Sequence, residues 1–154
     1  MPPRKQKPDT TAADRIAGEC LGTRVRLLNR TITGIYDEAL RPMGLTSGQL
    51  NLLVVVAKRG PLSPGEVALR MNMEKSTVSR NLDRMRHNGW VRVGQADAGR
   101  KQVLTLTRSG RNLIEKCLPA WDEAQTRARA VLGQGGAKSI HRLGDTVRRR
   151  LESS

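Results

Sequence analysis

The sequence predicts a mainly α-helical fold that carries one small β-hairpin, and three observations lead there. Apolar residues recur at steps of three and four along most of the chain, the period of amphipathic helices. Alternation with a period of two is confined to two short runs, residues 90–93 and 102–106, which flank a polar, glycine-bearing stretch. Capping residues, prolines and glycines punctuate the pattern at short intervals. The 154 residues suit one compact domain or two very small ones.

Each element has its own reason. Residues 1–11 are polar, charged and proline-containing, and read as a disordered basic arm. Over residues 12–41, Leu21, Val25, Leu28, Ile32, Ile35 and Ala39 mark the apolar face of one helix, which Pro42 and Gly44 end. Thr46-Ser47-Gly48-Gln49 is a capping box: the Thr hydroxyl takes an early helical N–H and the Gln reaches back. That cap favours a buried helix over residues 50–59, although Val54, Val55 and Val56 would also suit a buried strand. Ser63-Pro64-Gly65-Glu66 is a stronger start signal, with an N-cap Ser, a first-turn Pro and a reciprocal Glu. It opens a short helix over 64–71, stopped where Asn72 can take left-handed geometry.

The next helix, 75–87, sets Val78, Leu82 and Met85 on one face, with Lys75, Ser76, Ser79, Arg80 and Arg84 largely on the other. Asn88-Gly89 ends it, and the hairpin follows with its tip at 94–101. Beyond Thr107 a long helical pattern runs through Ile114, Cys117, Leu118, Trp121, Ala124, Ala128 and Val131, with a kink expected at Pro119. Gly133-Gln134-Gly135-Gly136 reads as a break before a last helix marked by Ile140, Leu143, Val147 and Leu151.

Composition narrows the function. The formal net charge is +14, while the aromatics are only Trp90, Trp121 and Tyr36. Single-strand nucleic-acid binders need aromatic platforms for stacked bases, and three rings cannot supply them. Duplex DNA needs charge without stacking. Residues 75–101 hold seven Lys and Arg against Asp83 and Asp97, a dense concentration on the segment that follows the short helix. The longest apolar run, residues 52–57, is far too short to span a membrane. The basic N-terminus has no apolar stretch behind it, so it does not read as a secretory signal. Two cysteines do not form a disulfide framework, and the chain reads as cytoplasmic.

Residues 64–87 have the pattern of a helix-turn-helix whose second helix keeps its polar face free. Such a helix enters a major groove about 12 Å wide, where Arg, Ser and Thr read base edges. Lys75, Ser76, Thr77, Ser79, Arg80 and Arg84 are the candidate contacts, with Ser63 at the start of the preceding helix. A solvated helix face is the plain alternative. Asp83 either pairs with Arg80 or Arg86 or sits in solvent. The hairpin becomes a wing, in which Arg100 suits a narrow minor groove and Lys101 meets phosphate.

Residues from about 20 to 133 resemble a MarR-family (multiple antibiotic resistance type) winged-helix regulator. The resemblance is carried by Tyr36-Asp37-Glu38-Ala39-Leu40-Arg41-Pro42-Met43-Gly44-Leu45-Thr46, by Ser76-Thr77-Val78-Ser79-Arg80-Asn81-Leu82-Asp83-Arg84-Met85, and by Leu106-Thr107-Arg108-Ser109-Gly110. It implies a homodimer built on N- and C-terminal helices, with a winged helix that binds DNA. It also implies a repressor-type role relieved by a small aromatic or anionic effector, for which Arg24, Tyr36 and Trp121 are candidate contacts. Family wings commonly read Asp-Arg-Arg, whereas here Asp97-Ala98-Gly99-Arg100-Lys101 sets the Asp one place off. Arg100 matches the groove-inserted Arg by its distance from Leu106-Thr107.

The domain reading is a basic arm (1–11), an N-terminal dimerisation helix (12–44), a winged helix-turn-helix (45–106) and C-terminal dimerisation helices (107–154). Trp121 and Leu118, with Leu143, Val147 and Leu151, are most simply core and dimer contacts. Cys20 and Cys117 read as buried, inert thiols, because Gly22 occupies the position expected of a peroxide-sensing cysteine. His87 and His141 lack Cys or carboxylate partners at ligand spacing, so neither metal nor cofactor is expected. The 133–136 glycines lack a preceding strand and are not a phosphate cradle. The carboxylate pairs Asp37-Glu38 and Asp122-Glu123 are adjacent and diverge on a helix, so no enzyme is expected. The expectation is a dimeric, sequence-specific regulator whose two recognition helices read a pseudo-palindromic operator, with half-sites about one helical turn apart. The alternatives are a non-specific architectural DNA binder and a winged-helix protein adaptor, whose recognition face would lack Arg.

Overall fold

Helices α1 (Ala12–Glu19) and α2 (Leu21–Leu40) open the chain in a computed structural model that describes residues 11–96 and 101–153. The chain divides into two compact units, Met1–Gly34 and Ile35–Ser154. In the first, Thr11 caps α1: its Oγ1 accepts from Asp14 N at 3.3 Å, and the Asp14 carboxylate accepts from Thr11 N at 2.9 Å. The single helix expected over 12–41 is thus two helices, separated at Cys20, whose extended ψ of 110° ends α1. The reason is local. Cys20 is the C-cap of α1, its N–H donating to the Ile16 carbonyl at 3.0 Å, and α2 starts afresh at Leu21. Leu21, Val25 and Leu28, expected on a covered face, are exposed, Leu21 at 77%.

The second unit runs from the end of α2 through a 3-10 turn (Arg41–Met43) that Gly44 closes at a left-handed φ of 69°. Three helices follow: α3 (Ser47–Arg59), α4 (Pro64–Met71) and α5 (Lys75–His87). Both expected capping boxes are formed, Thr46 with Gln49 and Ser63 with Glu66. The core joins Leu40, Leu52, Leu53, Val67, Val78, Met85, Leu104 and Cys117, all essentially without solvent contact. Strands β1 (Val91–Ala96) and β2 (Lys101–Leu106) pair antiparallel from Val91↔Leu106 to Ala96↔Lys101. The hairpin is longer than the alternation suggested, because pairing carries on through the exposed Gly94, Gln95 and Gln102. Trp90 drops out of it: its N–H turns back to the Met85 carbonyl at 2.9 Å and closes α5. Leu62 adds a bridge to Leu104, with reciprocal backbone hydrogen bonds of 3.2 and 2.7 Å.

Helix α6 (Arg108–Glu152) replaces the two expected helices. Only Gly133 leaves helical dihedrals inside it (φ 70°, ψ 170°), so the anticipated four-residue break contracts to one residue. A single glycine supplies positive φ at no steric cost, and its neighbours can stay helical. Pro119 stays within helical dihedrals, and the departure falls at Gly133 instead of there. Leu118, Leu143, Val147 and Leu151 are not core residues of this chain, since each is 51–61% exposed. Trp121 is half-buried against the core.

Candidate nucleic-acid interface

The α4–α5 pair is fixed by its turn and its inner face. Asn72 holds the left-handed conformation (φ 49°), and its N–H and that of Met73 return to the Leu69 and Ala68 carbonyls. Two central residues then lead directly into α5. Small, buried Ala68 lets the helices approach, and Val78, Leu82 and Met85 seal the underside of α5. The opposite face is open. Lys75, Ser76, Ser79, Arg80 and Arg84 are exposed, and Thr77 is half-buried. None of Lys75, Arg80 and Arg84 forms an ion pair with another described residue. Asp83 instead pairs with Arg86 at 3.6 Å, which leaves Arg80 to the outer face.

The start of α4 and the wing meet at one carboxylate. Ser63 N and Ser63 Oγ both donate to Glu66 Oε2 at 2.7 Å, and Ser63 Oγ accepts from Glu66 N at 3.3 Å. Glu66 Oε1 accepts from Lys101 Nζ at 3.2 Å. The Ser63 hydrogen bonds first, and then Lys101, hold the Glu66 carboxyl down at about 2. The Ser63 hydroxyl, expected on DNA, here forms the α4 cap, and Lys101, expected on phosphate, here pairs with Glu66. Arg100 and Asp97 lie outside the described residues.

Behind the wing, Thr107 joins three elements. Its hydroxyl donates to the Gly89 carbonyl at 2.7 Å and accepts from Gly110 N at 3.0 Å, while its N–H donates to the Trp90 carbonyl at 3.0 Å. Gly110 packs so tightly there that an added Cβ would stand 2.2 Å from the Trp90 oxygen. The Leu106-Thr107-Arg108-Ser109-Gly110 pattern thus has a steric cause.

Of the candidate effector contacts, two come together. Tyr36 and Trp121 have ring centroids 6.5 Å apart, and the Tyr36 hydroxyl donates to Gln125 Oε1. Burial raises the Tyr36 phenol, with the Arg129 charge opposing. Arg24 belongs to the first unit, where its guanidinium donates to the Gly18 carbonyl. Gln125 and the Glu38–Arg127 pair (2.6 Å) were not singled out from the sequence, and nothing local signals them. Cys117 is buried as expected, and burial raises its thiol. Cys20 is only half-buried, and the Thr23 hydroxyl, then backbone N–H groups, lower its thiol, so the expectation of a buried inert group fails there. Among the described residues no three His, Cys, Asp or Glu cluster as a metal site would require. No helix among them is long and apolar enough to cross a membrane.

Residues 43–102 match a family model described as MarR family. The HTH-type transcriptional regulator YwoH of Bacillus subtilis is 32% identical over 87 residues, covering 56% of this chain and 64% of YwoH. The multiple antibiotic resistance protein MarR of Escherichia coli is 26% identical over 98 residues, covering 63% of this chain and 68% of its own length. Among solved structures, the M. tuberculosis transcriptional regulator MosR in complex with DNA superposes with a TM-score of 0.70 at 33% identity, covering 85% of this chain and 98% of that one.

Proposed function

The chain belongs to the MarR family of winged-helix transcriptional regulators, and from that premise we propose that it binds duplex DNA in a sequence-specific way as a homodimer. The observation that carries this reading is the outer face of α5. Three cations free of described ion partners and three hydroxyls project from a helix whose other side is sealed into the core. Arg80, Ser76, Thr77 and Ser79 read base edges in the major groove, Lys75 and Arg84 meet the backbone, and Arg100 enters the minor groove. Ser63 contributes through the helix start that it caps. The exposed apolar residues Leu118, Leu143, Val147 and Leu151 support a second copy against α6, since Leu143, Val147 and Leu151 recur every four residues along one helix face and no described residue of this chain covers them. Two recognition helices then read a pseudo-palindromic site in the cytoplasm. The half-buried Tyr36–Trp121 pair, with Gln125 and Arg129 near it, supports a small aromatic or anionic effector that relieves repression.

The test is selection of duplexes from a random library, followed by fluorescence anisotropy on the selected duplex and on a random one. Arg80→Ala is expected to lower affinity for the selected duplex by about 5- to 150-fold, the value of one good bidentate base contact, and to leave random duplex nearly unchanged. Equal affinity of the wild type for both duplexes would instead favour a non-specific architectural protein, whose binding follows salt alone.

A further inference from the structure

We propose that Glu66 is a positioning residue for the wing: its two carboxylate oxygens tie the start of α4 to Lys101, the first residue of β2 and the partner of Ala96. The inner half of the hairpin needs no such tie. Val91, Val103, Leu104 and Leu106 are buried, and Leu62 bridges to Leu104. The outer half has no comparable anchorage, because Gln95, Lys101 and Gln102 are exposed and Ala96 is half-buried. Among the described residues, the Glu66–Lys101 hydrogen bond of 3.2 Å is the side-chain bond that fastens this half to another element. Its position matters because Ala96 pairs with Lys101, so the four residues 97–100 emerge from that pair. Holding Lys101 holds the strand end that adjoins residue 100 in the sequence.

Glu66 suits this task because it is itself held. Val67 and Ala68, the next residues of α4, are buried, and Ser63 donates twice to Oε2. The carboxylate is therefore oriented before Lys101 reaches it, which lowers the entropy lost in forming an exposed pair. Lys101 then acts through the wing and not on phosphate. This inference rests on the DNA-binding reading for its effect on affinity, but not for the tie itself.

Two measurements separate the two. In the DNA-free protein, Lys101→Met, which leaves the cap intact, is expected to speed amide hydrogen exchange in the outer halves of β1 and β2 at least twofold, with Lys101→Arg restoring protection. Unchanged exchange in Lys101→Met overturns the tie, whatever the protein does with DNA. On the selected duplex, Glu66→Gln and Lys101→Met are each expected to lower affinity about two- to fivefold, with the double variant no weaker than the worse single one. The dependence of log affinity on log salt should keep its slope. Additive losses, or a slope smaller by about 0.9 in Lys101→Met, would make Lys101 a phosphate contact and overturn the proposal.

Discussion

Replacing Gly110 by Ala adds one methyl group at the most crowded glycine near the wing. The new Cβ would lie 2.2 Å from the Trp90 carbonyl oxygen and 2.7 Å from Leu106 Cδ1. Ordinary contact begins about 1 Å farther out, so backbone must move, and the same oxygen accepts from Thr107 N and Thr107 Oγ1 at 3.0 Å each. Overpacking costs about 1–3 kcal/mol, and two weakened hydrogen bonds add about 1–2 kcal/mol. The gain of Ala over Gly in a helix offsets roughly 1 kcal/mol of this. The net expectation is a loss of about 1–4 kcal/mol, or roughly 2–16 °C in Tm for a chain of this size. Gly65 is the internal control, because it is helical and nothing lies within 4 Å of its added Cβ. Gly65→Ala should be neutral or stabilising by up to about 1 kcal/mol. Thermal unfolding followed by circular dichroism, with urea titration beside it, reads both. Equal shifts for the two variants, or a Gly110→Ala protein as stable as wild type, would refute the steric reasoning.

Acid should act through Glu66. Its folded value of about 2 lies below its ordinary 4.5, so its contribution is fully present above about pH 4.5 and is lost as pH falls toward 2. The Tm gap between wild type and Glu66→Gln should therefore be widest near neutrality and close near pH 2; a gap constant down to pH 3 would contradict the cap geometry. The two thiols should also differ in rate. At neutral pH iodoacetamide should modify Cys20, half-buried and lowered by Thr23, several-fold faster than buried Cys117, and equal rates would contradict their placement.

What the sequence makes legible is what residues three or four apart decide between themselves. The Thr46–Gln49 and Ser63–Glu66 boxes, the left-handed Asn72 and the Val78, Leu82 and Met85 underside all depend on near neighbours, and all form as expected. Cys20 escaped because helical periodicity runs on through it, and nothing in its side chain announces the extended backbone at which α1 ends. The Glu66–Lys101 and Tyr36–Gln125 contacts span 35 and 89 residues, and no local pattern selects such partners. Apolar spacing revealed a stripe on α6 at Leu143, Val147 and Leu151 but could not tell whether the same chain covers it. It does not.

The Thr107 junction has a mechanical consequence. It fastens the first turn of α6 to Gly89 and Trp90, immediately after α5. From Arg108 to the positive-φ residue Gly133, α6 is a beam about 37 Å long at 1.5 Å per residue. Tilting such a beam by about 5° carries its end through about 3 Å, close to the 3.4 Å rise of one base pair. Under the proposed DNA-binding reading, a rotation of that size about Gly133 corresponds to about one base-pair step at the Thr107 junction.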